Sequence, residues 1–137
     1  MSKILAIDYG QKRTGVAITD ELQIIASPLE TVPTQEFFCY LEKLLQKEKI
    51  ETIVVGLPLR LNGEESATTQ LVRDFTAQIR KKFPALHIEM IDEAFTSKLA
   101  ARALVEGGMK KKDRQKKENL DKVSAAIILQ SYLQLHG

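Results

Sequence analysis

Acidic residues stand at three separated points of this 137-residue chain where charge and chemistry can meet. Asp8 follows the apolar run of residues 4–7. Asp92 and Glu93 follow the alternating stretch LHIEMI, residues 86–91. Asp121 falls in the first turn of an apolar segment, residues 120–135. A carboxylate at the end of a buried strand is costly unless a positive group meets it. Three that converge repel one another and need cations to stay ionised together. Oxygen donors of this kind favour Mg²⁺ or Mn²⁺ over Zn²⁺. The chain has only two His and one Cys, so no soft-ligand cluster competes. Two such ions about 3.5–4 Å apart can activate a water and stabilise the leaving oxygen of a phosphodiester.

Each acid also has an ordinary use. Asp8 precedes a glycine turn, and Asp is a good turn residue. Asp121 can serve as an N-cap or as a partner of the helix dipole. Asp92 and Glu93 can be an exposed strand end, and alternation puts them on opposite faces. Only their joint placement points to a site.

The elements that must position these acids follow from periodicity. Residues 3–8 and 14–19 read as strands joined by a short polar turn, hence antiparallel neighbours. Residues 24–32 read as a weaker strand, with Pro28 suited to an edge or bulge. Thr34 is the expected N-cap of a helix over 35–48, with Phe37, Phe38, Leu41, Leu44 and Leu45 on one stripe. Cys39 falls off that stripe and is an incidental thiol. Residues 52–55, TIVV, suit a strand buried on both faces. GLPLRLNGEES reads as a loop. Ser66 is the expected cap of a helix over 67–82. A strand follows at 86–91, then a short helix capped by Thr96 or Ser97 and stopped by Gly107 and Gly108. The last helix spans 120–135. The order implies a mixed sheet, antiparallel early and parallel later, with helices covering it. Ligands of open α/β sheets gather at the carboxyl ends of strands, where Asp8 and the Asp92–Glu93 pair stand.

Length points to one domain over 1–137, large enough for its own core. No apolar run approaches the roughly 20 residues of a membrane helix, and no signal peptide is evident at the start. The lone Cys39 suits a reducing cytoplasm. Residues 110–118, KKKDRQKKE, hold six basic and two acidic residues, a net of +4; subtracted from the chain's formal +2, that leaves −2 elsewhere. One basic block on a mildly acidic body suits an anionic partner, or is simply a solvated loop. Without interleaved aromatics it suggests sequence-blind phosphate contact rather than base stacking.

The motifs Asp8-x-Gly10-x-x-Arg13-x-Gly15-Val16-Ala17, Val55-Gly56-Leu57-Pro58, Asp92-Glu93-x-x-Thr96-Ser97 and Asp121-x-x-Ser124-Ala125-Ala126-Ile127-Ile128-Leu129-Gln130-x-Tyr132-Leu133 occur in that order. Together they resemble the YqgF family, bacterial proteins similar to Holliday-junction resolvases and described as pre-16S rRNA nucleases. The resemblance covers almost the whole chain. It implies an RNase H-like fold: a five-stranded mixed sheet, its first three strands antiparallel and later ones parallel, with helices on both faces. It implies a nuclease using Mg²⁺ or Mn²⁺, with two ions expected, and ribosome biogenesis as its setting through the 5′ end of pre-16S rRNA. Carried over by residue, Asp8 is the bridging acid, Glu93 the acid after the later strand and Asp121 the acid of the last helix. Arg13, Thr96 and Ser97 are candidate phosphate contacts. Lys110, Lys111, Lys112, Arg114, Lys116 and Lys117 are candidates to follow the backbone into the site. Gly10, Gly15 and Gly56 are expected to keep bulk away from its mouth. Arg60, in the loop from Gly56 to Asn62, departs from the family pattern and receives no role.

Three other readings compete. Branched DNA is the alternative substrate, and a resolvase that cuts two strands favours a homodimer where an RNA-trimming enzyme can act as a monomer. A D-x-G hairpin also opens the phosphate loop of actin-like ATPases, but these need a second lobe, and no Walker-type GxxxxGK[ST] is present. A non-catalytic nucleic-acid scaffold is possible on the same fold, against which stands the presence of all three acids.

Overall fold

The structure, a computed structural model, describes the backbone of residues 2–58, 64–92 and 117–136, and all side chains of these except 117–121 and 136. Its elements are β1 (Lys3–Asp8), β2 (Arg13–Thr19), β3 (Ala26–Pro33), α1 (Phe37–Lys47), β4 (Ile50–Leu57), α2 (Ala67–Lys82), β5 (His87–Asp92) and α3 (Lys117–His136). The strands form one sheet in the order β3-β2-β1-β4-β5. β1 pairs antiparallel with β2, and β2 with β3, while β1–β4 and β4–β5 are parallel. This is the mixed sheet expected from the sequence. β3 is an edge, and the register shifts beside Pro28, which pairs with Ala17. A proline lacks the N–H for a central ladder, so edge and bulge are where it fits.

Alternation along the central strands feeds two separate cores. Leu5, Ile7, Val16, Ile53 and Val55 pack with Phe37 and Leu41 of α1 and with Val72, Phe75 and Ile79 of α2. Ile4, Ala6, Ala17, Val54 and Ile91 pack with α3 on the other face. β1 and β4 are therefore covered on both sides, which is why they read as continuous apolar runs.

The starts of α1 and α2 are built differently. Ser66 caps α2 as expected: its hydroxyl accepts from Thr69 N at 3.4 Å, and Ser66 N donates to Thr69 Oγ1 at 3.0 Å. Thr69 Oγ1 in turn donates to the carbonyl of Pro58, tying the start of α2 to the end of β4. Thr34 is not an N-cap. A 3₁₀ turn, Thr34–Glu36, precedes α1, which begins at Phe37 with no side-chain cap. The Thr34 hydroxyl donates instead to the carbonyl of Gly10 at 2.5 Å and lies 2.9 Å from the Thr14 hydroxyl. The short helix expected after Ser97 lies outside the described residues.

Candidate active site at the carboxyl edge of the sheet

Asp8 belongs to the strand rather than to the turn. It is the last residue of β1, half-buried, and pairs with Gly15 of β2. Its side chain alternates with Ile4 and Ala6, so it lies on the α3 face. Gly15 shares that face with Ala17, and Gly56 shares it with Val54. Ile7 pairs with Val55, so Gly56 is next to Asp8 on the β4 side. The carboxylate is thus flanked along the sheet by two residues without side chains. Both glycines are buried in strands. Gly56 is the penultimate residue of β4, not the first of a loop as expected, because its pairing with Ile91 extends the parallel ladder.

At Gly10 a backbone contact leaves no room for a side chain. A Cβ there would sit 2.4 Å from the carbonyl oxygen of Arg13. The turn after Asp8 closes too tightly for any side chain, and Thr34 holds it shut from outside: besides its bond to Gly10, Thr34 N donates to the carbonyl of Lys12 at 3.0 Å. Arg13 opens β2 at an exposed position that alternates with Gly15 and Ala17, on the face of Asp8.

Asp92 ends β5 opposite Leu57. Leu57 and the alternating Ile88 and Met90 belong to the core under α1 and α2, so Asp92 lies on the face away from Asp8. The odd positions Glu89 and Ile91 face α3: Ile91 packs in that core, and Glu89 accepts a hydrogen bond from Tyr132. Glu93, Thr96, Ser97, Lys110, Lys111, Lys112, Arg114 and Lys116 lie outside the described residues, as does Arg60. Asp121 and Lys117 lie within α3, their side chains undescribed; α3 starts at Lys117, so the basic run reaches into the helix. Among the described residues no group of three or more His, Cys, Asp or Glu could hold a metal ion.

α3 is buried on every side from Ala125 to Ser131, seven consecutive residues that cover its whole circumference. Two polar side chains fix its position. Gln130 is 5 % exposed, and its Oε1 accepts from the N–H of Ala26 in β3 at 3.0 Å. Tyr132 reaches the other way to Glu89 in β5. Burial first, then the Glu89 carboxylate, pushes the Tyr132 phenol up to about 12. Both residues stand in the motif of the last helix, but nothing local in the sequence names partners 104 and 43 residues away.

A family model named RuvX and described as "Holliday junction resolvase" matches residues 2–135. The chain belongs to this family. A relative from Phocaeicola vulgatus, named "Putative pre-16S rRNA nuclease", is 54 % identical over 134 residues, 98 % of this chain and 96 % of the relative. One of the same name from Flavobacterium psychrophilum is 48 % identical over 133 residues, 97 % of each chain. Among solved structures, T. thermophilus RuvC in complex with Holliday junction substrate superposes with a TM-score of 0.62 at 15 % identity, covering 98 % of this chain and 96 % of that one. At that identity the likeness shows the fold, which is RNase H-like.

Proposed function

We propose that residues 1–137 act as one nuclease domain that hydrolyses phosphodiester bonds in structured nucleic acid, in trimming the 5′ end of pre-16S rRNA, with Asp8, Glu93 and Asp121 as its acids. The observation that carries this is the setting of Asp8: the carboxyl end of the central strand, between two glycines, on the face that α3 covers.

The direction of α3 supports the role of Asp121. Gln130 meets Ala26, which pairs with Thr19; the Thr19 hydroxyl accepts from Ile4 N at 2.9 Å, so this contact is level with the start of β1. Past it, residues 134 and 135 become exposed, so the helix leaves the sheet at its carboxyl end and lies over it toward its amino end. Nine residues of helix rise about 13.5 Å from Gln130 back to Asp121. Four residues of strand rise about 13 Å from Ile4 to Asp8. The two lengths match. For Glu93, the support is parity: the odd positions of β5 face α3, and Asp92 does not.

The donor set fits Mg²⁺ or Mn²⁺, since every candidate ligand is a carboxylate oxygen and the flanking glycines leave room beside Asp8. When bound, such ions activate water and stabilise the leaving oxygen. The chain's own part is positioning. The ladder and the Thr34-held turn keep the Asp8 carboxylate at the strand edge, so its placement needs no reorganisation during reaction. Arg13, on the same face, is suited to a phosphate oxygen next to the scissile bond. The lysines of 110–117 supply sequence-blind attraction for the strand.

The second reading, cleavage of branched DNA, is favoured by the description of the family itself. Parallel assays on a pre-16S rRNA fragment and a four-way DNA junction, in Mg²⁺ or Mn²⁺ with highly purified protein, separate the two. Cleavage of the RNA near the mature 5′ end with the junction left intact is the expected result. The reverse pattern assigns a resolvase, and cleavage of neither overturns the nuclease reading.

A further inference from the structure

The face away from Asp8 carries a cavity of about 430 Å³ at the same edge of the sheet. It opens between the β1–β2 turn, the start of α1 and the middle of α2. Tyr9, the residue after Asp8, lines it, because alternation turns Tyr9 toward α1 and α2. Its ring packs on Phe75 with centroids 4.6 Å apart, and Phe38 packs on Phe75 from another side at 5.5 Å. Phe75 is 6 % exposed and forms the floor, while Tyr9 and Phe38 are half-buried and line the opening, with Lys82 Nζ over the Phe38 ring 5.3 Å from its centroid. Around these rings stand Gln35, Asp74 and Gln78, all exposed. Asp74 Oδ1 accepts from Gln70 Nε2 at 2.9 Å, and a carboxylate retains further acceptor sites beyond one such bond.

The chemistry of this lining disfavours a phosphate. No lysine or arginine lines the cavity among the described residues, and the Asp74 carboxylate repels anions. Aromatic surface ringed by one carboxylate and two amides matches a flat, uncharged ring whose edge donates hydrogen bonds. Unpaired nucleobases are recognised in this way, by stacking on aromatic rings and by hydrogen bonds to their Watson–Crick edge. Guanine fits best: its N1–H and exocyclic amine donate side by side to one carboxylate, and its O6 accepts from an amide.

We propose that this cavity takes an unpaired guanine of the substrate strand, next to the phosphodiester held at Asp8. Asp8 and Tyr9 are consecutive residues on opposite faces, so a strand crossing the carboxyl edge meets the acid on one side and the cavity on the other. This rests on the reading of the chain as a nucleic-acid enzyme, and it deepens that reading by giving the substrate a splayed-out base. It also supplies the base contact that the basic run, without aromatics, does not.

The test needs neither cleavage nor metal. The native protein in EDTA is titrated with guanosine 5′-monophosphate, uridine 5′-monophosphate and ribose 5-phosphate, and amide chemical shifts are followed by NMR. Guanosine 5′-monophosphate is expected to move the side-chain amides of Gln35 and Gln78 and to bind about tenfold or more tightly than ribose 5-phosphate. The uridine nucleotide, with one ring donor, falls between. Asp74→Asn and Gln78→Ala, both at exposed helix positions, are expected to remove most of the preference for guanine while leaving the spectrum of the free protein intact. Equal binding of all three compounds, no binding at millimolar concentration, shifts away from this cavity, or a guanine preference untouched by Asp74→Asn each overturn the proposal. Because no bond is cut, failure here leaves the nuclease reading to its own assay.

Discussion

The two faces of the sheet are built from alternate residues of the same strands, yet they work differently. Under α1 and α2 the core is large and aromatic, with Phe37, Phe38, Phe75 and Tyr9 in contact. Under α3 it is made of small and aliphatic residues, Ala6, Ala17, Ala125 and Ala126 among them, which bring the helix close. On the α1–α2 face one described side-chain bond, from Thr69 to the carbonyl of Pro58, ties the start of α2 to the end of β4. On the other, Gln130 and Tyr132 tie the far end of α3 to both edge strands of the sheet, β3 and β5. Both faces hold the domain together, but only the α3 face carries Asp8, and the site proposed above lies on it.

Paired substitutions break this comparison most sharply. Leu41 and Leu129 are each fully buried, one on each face. Leu41→Ala and Leu129→Ala should each cost about 2–5 kcal/mol in denaturant unfolding. Only Leu129→Ala should also lower cleavage per folded molecule, measured below the unfolding transition. Equal loss of activity in both would erase the division of labour.

A smaller effect is expected from Gln130→Leu, which strands the buried N–H of Ala26. The expected cost is about 1–3 kcal/mol, with cleavage lowered beyond what the unfolded fraction explains. Thr34→Val removes the two hydroxyl contacts that hold the turn after Asp8, at a cost of about 1–2 kcal/mol. Its signature should be a higher metal requirement for cleavage, since the turn fixes the strand end rather than the core. An unchanged metal titration would show that the turn does not govern Asp8.

The smallest effect concerns Tyr132→Phe. Near neutral pH it loses one hydrogen bond, about 1 kcal/mol. The Tyr132 phenol is held neutral in the folded state to about pH 12, against an ordinary value of 10.0. Its contribution is therefore complete below about pH 10 and is lost as pH rises from there through about 12. Native stability should fall over that window more steeply than that of Tyr132→Phe. Tyr40, raised to about 12 by burial and then by Glu30, leaves a residual slope in both. Parallel alkaline unfolding curves would contradict the assignment.

How far the sequence could be read depends on the range of the contacts involved. β1 was legible because a central strand is apolar on both faces, and the α2 cap because Ser66 and Thr69 meet within one turn. Pro28 marked an edge by what it lacks. Thr34 misled because a Ser or Thr before a helical stripe is a good local cap, and its real partners, Gly10 and Thr14, are 24 and 20 residues away. The close backbone approach to Arg13 that demands glycine at position 10 has no mark in the local sequence. α3 carried no clear stripe because it is buried all round, so periodicity could give its extent but not its orientation. The face taken by Asp92 stayed open until β5 had a register with β4, which puts it beside Leu57 on the far face.

The central claim is that Asp8 is an acid of a metal-dependent cleavage site. Native protein and Asp8→Asn should be compared on the same pre-16S rRNA fragment across an Mn²⁺ and an Mg²⁺ titration, with unfolding midpoints recorded alongside. Loss of even an outer partner of a metal ligand costs about 10–100-fold, so loss of a direct one should exceed about a hundredfold. Mn²⁺ should also raise the unfolding midpoint of the native protein, and not of the variant. Cleavage by Asp8→Asn at the native rate, in a folded protein, would contradict the account.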